Sequence, residues 1–304
     1  MKPKYIIALH LLLSVSSFIF AQQQATFSQY MFNGLAINPA YAGSQGALNA
    51  TVLSRFQNVG LPGAPNTQSL AVHTPLTNER VAVGLLVVHD KLSVIGQTGV
   101  NAIYAYRIPT LSGGSFSMGI QAGFSSYRAD YSSLDLYQSD AIFSQDVRQT
   151  RPNVGAGIYY STKMWYAGLS MQHMANNIFQ RGNNFQTVYQ SVPLIVSGGY
   201  VYEINRMMKI MPNFLFKYVD KRAVELDINA NLLFDDVLWV GVSYKFSNAL
   251  NWLLQVQVTD QLRFGYSYSF TTGPIRHAEL GSHEAMVSYR FRYFSKGIIT
   301  PRYF

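Results

Sequence analysis

Phe116-Ser117-Met118-Gly119-Ile120-Gln121-Ala122-Gly123-Phe124-Ser125 is the stretch from which the fold can be read. Phe116, Met118, Ile120, Ala122 and Phe124 fall on one face of a strand, and Ser117, Gly119, Gln121, Gly123 and Ser125 on the other, because strand side chains alternate with period two. The same alternation returns downstream. Val224, Leu226, Ile228, Ala230, Leu232 and Phe234 oppose Glu225, Asp227, Asn229 and Asn231, and Leu262, Phe264, Tyr266, Tyr268 and Phe270 oppose Arg263, Gly265, Ser267 and Ser269.

Working outward from these, fourteen strands are predicted. They lie at 47–56, 67–74, 81–90, 97–107, 114–127, 152–160, 164–172, 193–203, 208–218, 223–234, 237–246, 251–258, 262–271 and 283–293. Their length is near the 9–11 residues of a tilted membrane-spanning strand. The connections 161–163, 204–207, Asp235-Asp236 and 259–261 follow even-numbered strands and are short. The long connections 57–66, 128–151, 173–192 and 272–282 follow odd-numbered ones, with 219–222 and 247–250 as short exceptions. Short turns at one end and long loops at the other are the pattern of outer-membrane barrels.

Composition agrees. Only 12% of the 304 residues are charged, about half the usual share for soluble domains, while 14% are aromatic. In a soluble β-sandwich one face of these strands would meet water nearly uncharged, whereas in a barrel the apolar face meets lipid and the polar face the lumen. The expected fold is therefore an all-β transmembrane antiparallel barrel of about fourteen strands. Tyr159, Tyr160, Trp165 and Tyr166 around one turn, and Phe234 and Trp239 around another, are expected to form an interfacial girdle. With no cysteine, disulfides, thiolate metal sites and lipoprotein acylation are excluded. The excess of 23 basic over 15 acidic residues never forms a run, so no nucleic-acid partner is expected.

Lys2 and Lys4 precede an apolar stretch from Tyr5 to Phe20, and Ala21 offers a small residue for cleavage, which reads as an export signal over 1–21. Residues 22–46 form a periplasmic or lumen-entering segment, 47–294 the barrel and 295–304 a periplasmic tail. Within 22–46, Asn38-Pro39 and Ala42-Gly43-Ser44 punctuate an aromatic run that lacks clean alternation. Tyr30, Phe32, Asn38, Pro39, Tyr41 and Gly43 are the candidate partner-binding residues there.

Lys217, Glu225, Asp227, Lys245, Arg263, Glu284, Arg290 and Arg292 are expected to face the lumen as a structural network of opposed charges. His277 and His283 share one loop, but a solvated loop is the simpler reading than a metal pair. His89-Asp90 places a base and a carboxylate on opposite strand faces, and Asp235-Asp236 reads as turn chemistry. No nucleophile elbow, zinc-protease helix or phosphate loop occurs in the sequence. Neither catalysis nor a metal or other cofactor is expected.

Asn38-Pro39-Ala40-Tyr41-Ala42-Gly43-Ser44, preceded by Gln29-Tyr30-Met31-Phe32-Asn33, resembles the opening of the PorP/SprF family of Bacteroidetes type IX secretion systems. The resemblance continues through Arg55-Phe56-Gln57, Gly60 to Ser69, His73-Thr74-Pro75-Leu76, Asp90-Lys91 and Tyr104 to Arg107. Pro152 to Tyr160, Tyr166 to Ser170 and Gly281-Ser282-His283-Glu284 complete it, in order along the chain. Gly34 stands where many members would carry proline, which bears on the local geometry of the leader. The resemblance implies a non-enzymatic protein of the Gram-negative outer membrane, with membrane lipid, periplasmic secretion components and surface cargo such as large adhesins of gliding cells as its partners. The alternative is a passive porin for small solutes.

Overall fold

A computed structural model describes residues 27–76, 79–111, 113–134, 146–174, 177–181, 185–190, 192–220, 224–246, 249–272, 278–291 and 303. The expected signal at 1–21 lies outside the described residues, as do Arg292 and His277.

The strands in order are β1 (Leu48–Phe56), β2 (Asn66–Pro75), β3 (Val81–Leu92), β4 (Ile95–Pro109), β5 (Ser115–Ala129), β6 (Val147–Ser161) and β7 (Trp165–Met171). They continue with β8 (Asn177–Arg181), β9 (Phe185–Gln190), β10 (Pro193–Tyr200), β11 (Tyr202–Glu203) and β12 (Met208–Val219). The last are β13 (Glu225–Phe234), β14 (Leu238–Lys245), β15 (Ala249–Gln257), β16 (Leu262–Thr271) and β17 (Ser282–Phe291). β8 and β9 pair only with each other, a hairpin inside the connection 172–192, and β11 is a two-residue continuation of β10 along β12. The other fourteen form one antiparallel sheet of sequential neighbours, and β17 returns to pair with β1, from Leu48 opposite Phe291 to Phe56 opposite His283. With β10 bonded to both β7 and β12, the sheet has no open edge.

The faces are inverted relative to a soluble protein. On β5, Ile120 and Phe124 are 59% and 63% exposed, while Gln121 and Ser125 on the opposite face are 2% and 1% exposed. On β13, Asp227, Asn229 and Asn231 are buried and Ile228 is exposed. Apolar side chains on the outside and polar ones within are what a barrel in hydrocarbon requires.

Two expectations change. β5 and β6 run to Ala129 and from Val147, so the loop predicted at 128–151 shrinks to 130–146. The alternation persists there, but the outward positions Ser126, Arg128, Arg148 and Thr150 are polar, so no apolar face marks these strand ends, while Tyr127, Ala129 and Tyr131 pack into a small cluster of their own. The girdle is also half of what was expected. Trp165 stacks on Tyr160 at 5.0 Å outside, but Tyr159, Tyr166 and Trp239 point into the lumen. Neighbours in a strand face opposite ways, so an aromatic pair around a turn supplies one ring to each side.

A lipid-face charge is expected to be far more costly than a lumen change. Ile120→Arg loses roughly 2–4 kcal/mol if it lies at mid-membrane depth. It should sharply reduce the fraction of purified chain showing the heat-dependent gel mobility of a folded barrel, whereas Ile120→Val leaves it unchanged.

Candidate functional site

The lumen is filled by the chain's own residues 27–47, nearly all of them buried. They form three single 3-10 turns, Tyr30–Phe32, Gly34–Ala36 and Pro39–Tyr41. Asn38 starts the third: its Oδ1 accepts from the Ala40 amide at 2.9 Å and Pro39 occupies the first position, where no amide is needed. Such a segment cannot pair its backbone as a helix or strand does, so the wall has to do it.

The wall does so around much of its circumference. The Glu284 carboxylate on β17 accepts the Ser28 and Gln29 amides, each at 2.9 Å. Gln172 donates to the Ala36 carbonyl and Ser170 of β7 to that of Ile37 at 2.5 Å. Arg107 of β4 donates to the Gly43 carbonyl at 2.6 Å, and His73 of β2 accepts the Gly43 amide at 3.1 Å. Asn229 of β13 donates to the Tyr30 hydroxyl at 2.7 Å, and burial pushes the Tyr30 phenol well above its usual range, keeping it neutral. The path doubles back. From Glu284 it turns to the short-turn end, where Phe32 meets the Trp239 edge at a centroid distance of 6.3 Å, rises to Gln172, and leaves past Arg107 into β1.

Glycines make the wall flat where the plug lies closest. A Cβ on Gly119 of β5 would stand 2.5 Å from the Ala40 Cα, and one on Gly157 of β6 would collide with the Asn38 carboxamide. Asn38 Nδ2 uses that proximity to donate to the Ile158 carbonyl at 2.9 Å. Gly34 has the Tyr41 ring against it, 2.5 Å from where its Cβ would be, so the Tyr41 ring occupies the space a proline would need.

The six leader residues chosen from the sequence, Tyr30, Phe32, Asn38, Pro39, Tyr41 and Gly43, all lie in this plug; Phe32 is half-buried and the others buried. The lumen charges fall into two groups rather than one. Toward the long-loop end are Lys217, Glu225, Asp227, Lys245 and Glu284, all buried, with Lys217 Nζ 3.2 Å from Glu225 Oε1 and Asp227 opposite Lys245 in the register. Ser243 donates to Asp227 at 2.6 Å. Arg55, 3.7 Å from Glu284, is a sixth member that the sequence reading passed over, although its position two residues after the inward-facing Leu53 marks it. Three cations then balance three carboxylates. Arg263 and Arg290 sit at the short-turn end with Arg107, apart from that group. There, too, Lys209 contacts Asp236 of the turn at 2.5 Å and lies 5.1 Å from the centre of the Tyr303 ring.

His283 lies on the outer wall beside Tyr266, whose hydroxyl is 2.7 Å from its Nδ1, and His89 Nδ1 is 2.8 Å from Thr98 Oγ1. Asp235 and Asp236 both take positive φ, 49° and 55°, as a tight hairpin turn requires. Among the described residues no three His, Asp or Glu converge on a metal position.

Gly119→Leu is expected to push the Pro39–Tyr41 turn off the wall while the barrel still forms. Purified variant in planar bilayers should then conduct ions where the parent chain is silent. A folded variant as silent and as protease-resistant as the parent would show that the turn does not hold the lumen shut.

Among solved structures the fold is similar to "CymD monoaromatic hydrocarbon channel", with a TM-score of 0.54 and 11% identity over 88% of this chain and 94% of that one. It is also similar to a Pseudomonas aeruginosa FadL homologue, with a TM-score of 0.50 and 11% identity over 86% and 94%. At such identity the likeness is one of fold. No curated protein sequence matches the chain. The family model "Type IX secretion system membrane protein PorP/SprF" matches residues 19–289, nearly the whole chain. A closed outer-membrane barrel with its own residues 27–47 in the lumen, the chain belongs to the PorP/SprF family of type IX secretion system membrane proteins.

Proposed function

We propose that the chain is a non-enzymatic partner of protein secretion, holding or passing cargo at the cell surface rather than conducting solutes. The observation that carries this reading is the lumen filled by residues 27–47 and bonded to the wall through its backbone. A solute channel needs a hydrated path, and here the long-loop half is occupied by balanced ion pairs and the centre by the plug. In this reading the long-loop end faces outward, presenting 130–146, the β8–β9 hairpin and 278–281 to a surface protein such as an adhesin of a gliding cell. The short-turn end and residues 295–304 face periplasmic components of the secretion system, the chain having been exported by its leader at 1–21. For Tyr30, Asn38, Pro39, Tyr41 or Gly43 to touch a partner, the plug has to leave the lumen, so partner binding by this segment and barrel opening are one event.

The porin alternative draws on the channel named above, and bilayer conductance separates the two. The unaltered chain is expected to give no stable channels; reproducible single-channel steps would favour the porin. The cell-level test is deletion of the gene followed by mass spectrometry of surface and secreted proteins. Loss of one or a few large surface proteins, retained inside the cell and restored by the intact gene, is the expected result. An unchanged surface proteome under conditions of expression would overturn the secretion role.

A further inference from the structure

A small polar cavity lies between the plug and the wall at the short-turn end, and among the described residues the charged side chains that line it are all cationic. Asn33 of the plug lines it, 3% exposed, and its Nδ2 has no hydrogen-bond partner among the described residues. Arg263 and Arg290 of the wall line it as well, and no carboxylate does among the described residues. Arg263 donates to Gln257 Oε1 at 2.7 Å and stacks 4.8 Å from the centre of the Trp239 ring, both neutral partners. Arg290 donates to Gln45 Oε1 at 2.5 Å, so two of the cavity's amide oxygens are already taken by guanidinium groups. His73 accepts the Gly43 amide on Nδ1, from which its proton is inferred to be on Nε2, adding a further donor to the lining.

Cations and an unmet donor, with no carboxylate among the described lining residues, around a void of roughly one water's size suit an anionic acceptor. Water could meet these donors, its hydrogens accepted by lining oxygens such as those of Gln261 and Ser288, but it offsets no charge. We propose that this cavity is a binding site for a small monovalent anion of chloride's size, held jointly by Asn33 of the plug and Arg263 of the wall. Because one of its walls is the plug, the site exists only while the plug is seated, so anion binding and plug release oppose each other. The consequence is a plug that is pinned at high chloride and loosened at low chloride, whatever cargo the barrel serves.

The test uses the full chain in detergent, unfolded thermally in sodium chloride and in sodium gluconate of equal ionic strength, gluconate being too bulky for the cavity. The midpoint is expected to rise with chloride to a plateau and to stay flat in gluconate, as linkage requires of a ligand bound only by the folded state. Asn33→Leu and Arg263→Gln should each abolish the difference, and Gly119→Leu, which displaces the plug from elsewhere, should weaken it. Equal midpoints in the two salts, or a difference that persists in Arg263→Gln, would overturn the proposal and leave a water in the cavity. Should the variants fail to fold, the chloride NMR linewidth of the unaltered chain decides. Broadening beyond that of protein-free micelles and reversed by bromide supports the site; no excess broadening removes it.

Discussion

Backbone amides and carbonyls in hydrocarbon have no water to bond to, and most features of this protein follow from that. The sheet has to close, which the β1–β17 and β7–β10–β12 pairings accomplish. Closure sorts every strand into a lipid face and a lumen face, with Ile120 on one side and Gln121 on the other. It also creates a second demand. A lumen lined by amides, hydroxyls and ion pairs has to be solvated or filled, and here residues 27–47 fill it.

The plug meets that demand in an unusual currency of contacts. Three short 3-10 turns leave many of their own backbone groups unpaired, and wall side chains from well-separated strands supply the partners: Glu284, Ser170, Gln172, Arg107 and His73 all bond main-chain atoms. Recognition is therefore of path more than of side-chain identity, except at Asn38 and the glycines facing it, where shape decides. A carboxylate such as Glu284, 2% exposed, is tolerable in that place because two amides and a guanidinium surround it.

The charge distribution along the lumen has the same origin. At the long-loop end three cations and three carboxylates lie on the inner face of the wall and neutralise one another, as buried charges there must. At the short-turn end guanidinium groups gather around the exit of the plug, donating to the Gly43 carbonyl and to the side-chain oxygen of Gln45. The outer wall, by contrast, carries aromatic and aliphatic side chains with few ionisable groups, as contact with lipid demands.

Strand number, the direction of each face and the two classes of connection were legible in the sequence, because period-two alternation is a local property imposed by the pleat and by lipid on one side. The leader motif was legible as a family feature, and parity alone would have added Arg55 to the inward charges. The β8–β9 hairpin was not legible, since it lies in a connection where no lipid face enforces a pattern. The same parity sends Trp239, Tyr159 and Tyr166 inward, although their place beside turns makes them look like girdle residues. That residues 27–47 occupy the barrel, that Glu284 meets Ser28 across more than 250 positions of sequence, and that the charges separate into two layers were decided by the tertiary structure alone. Contacts between an irregular segment and a closed wall depend on which strands curve round to face it, and no periodicity along the chain records that.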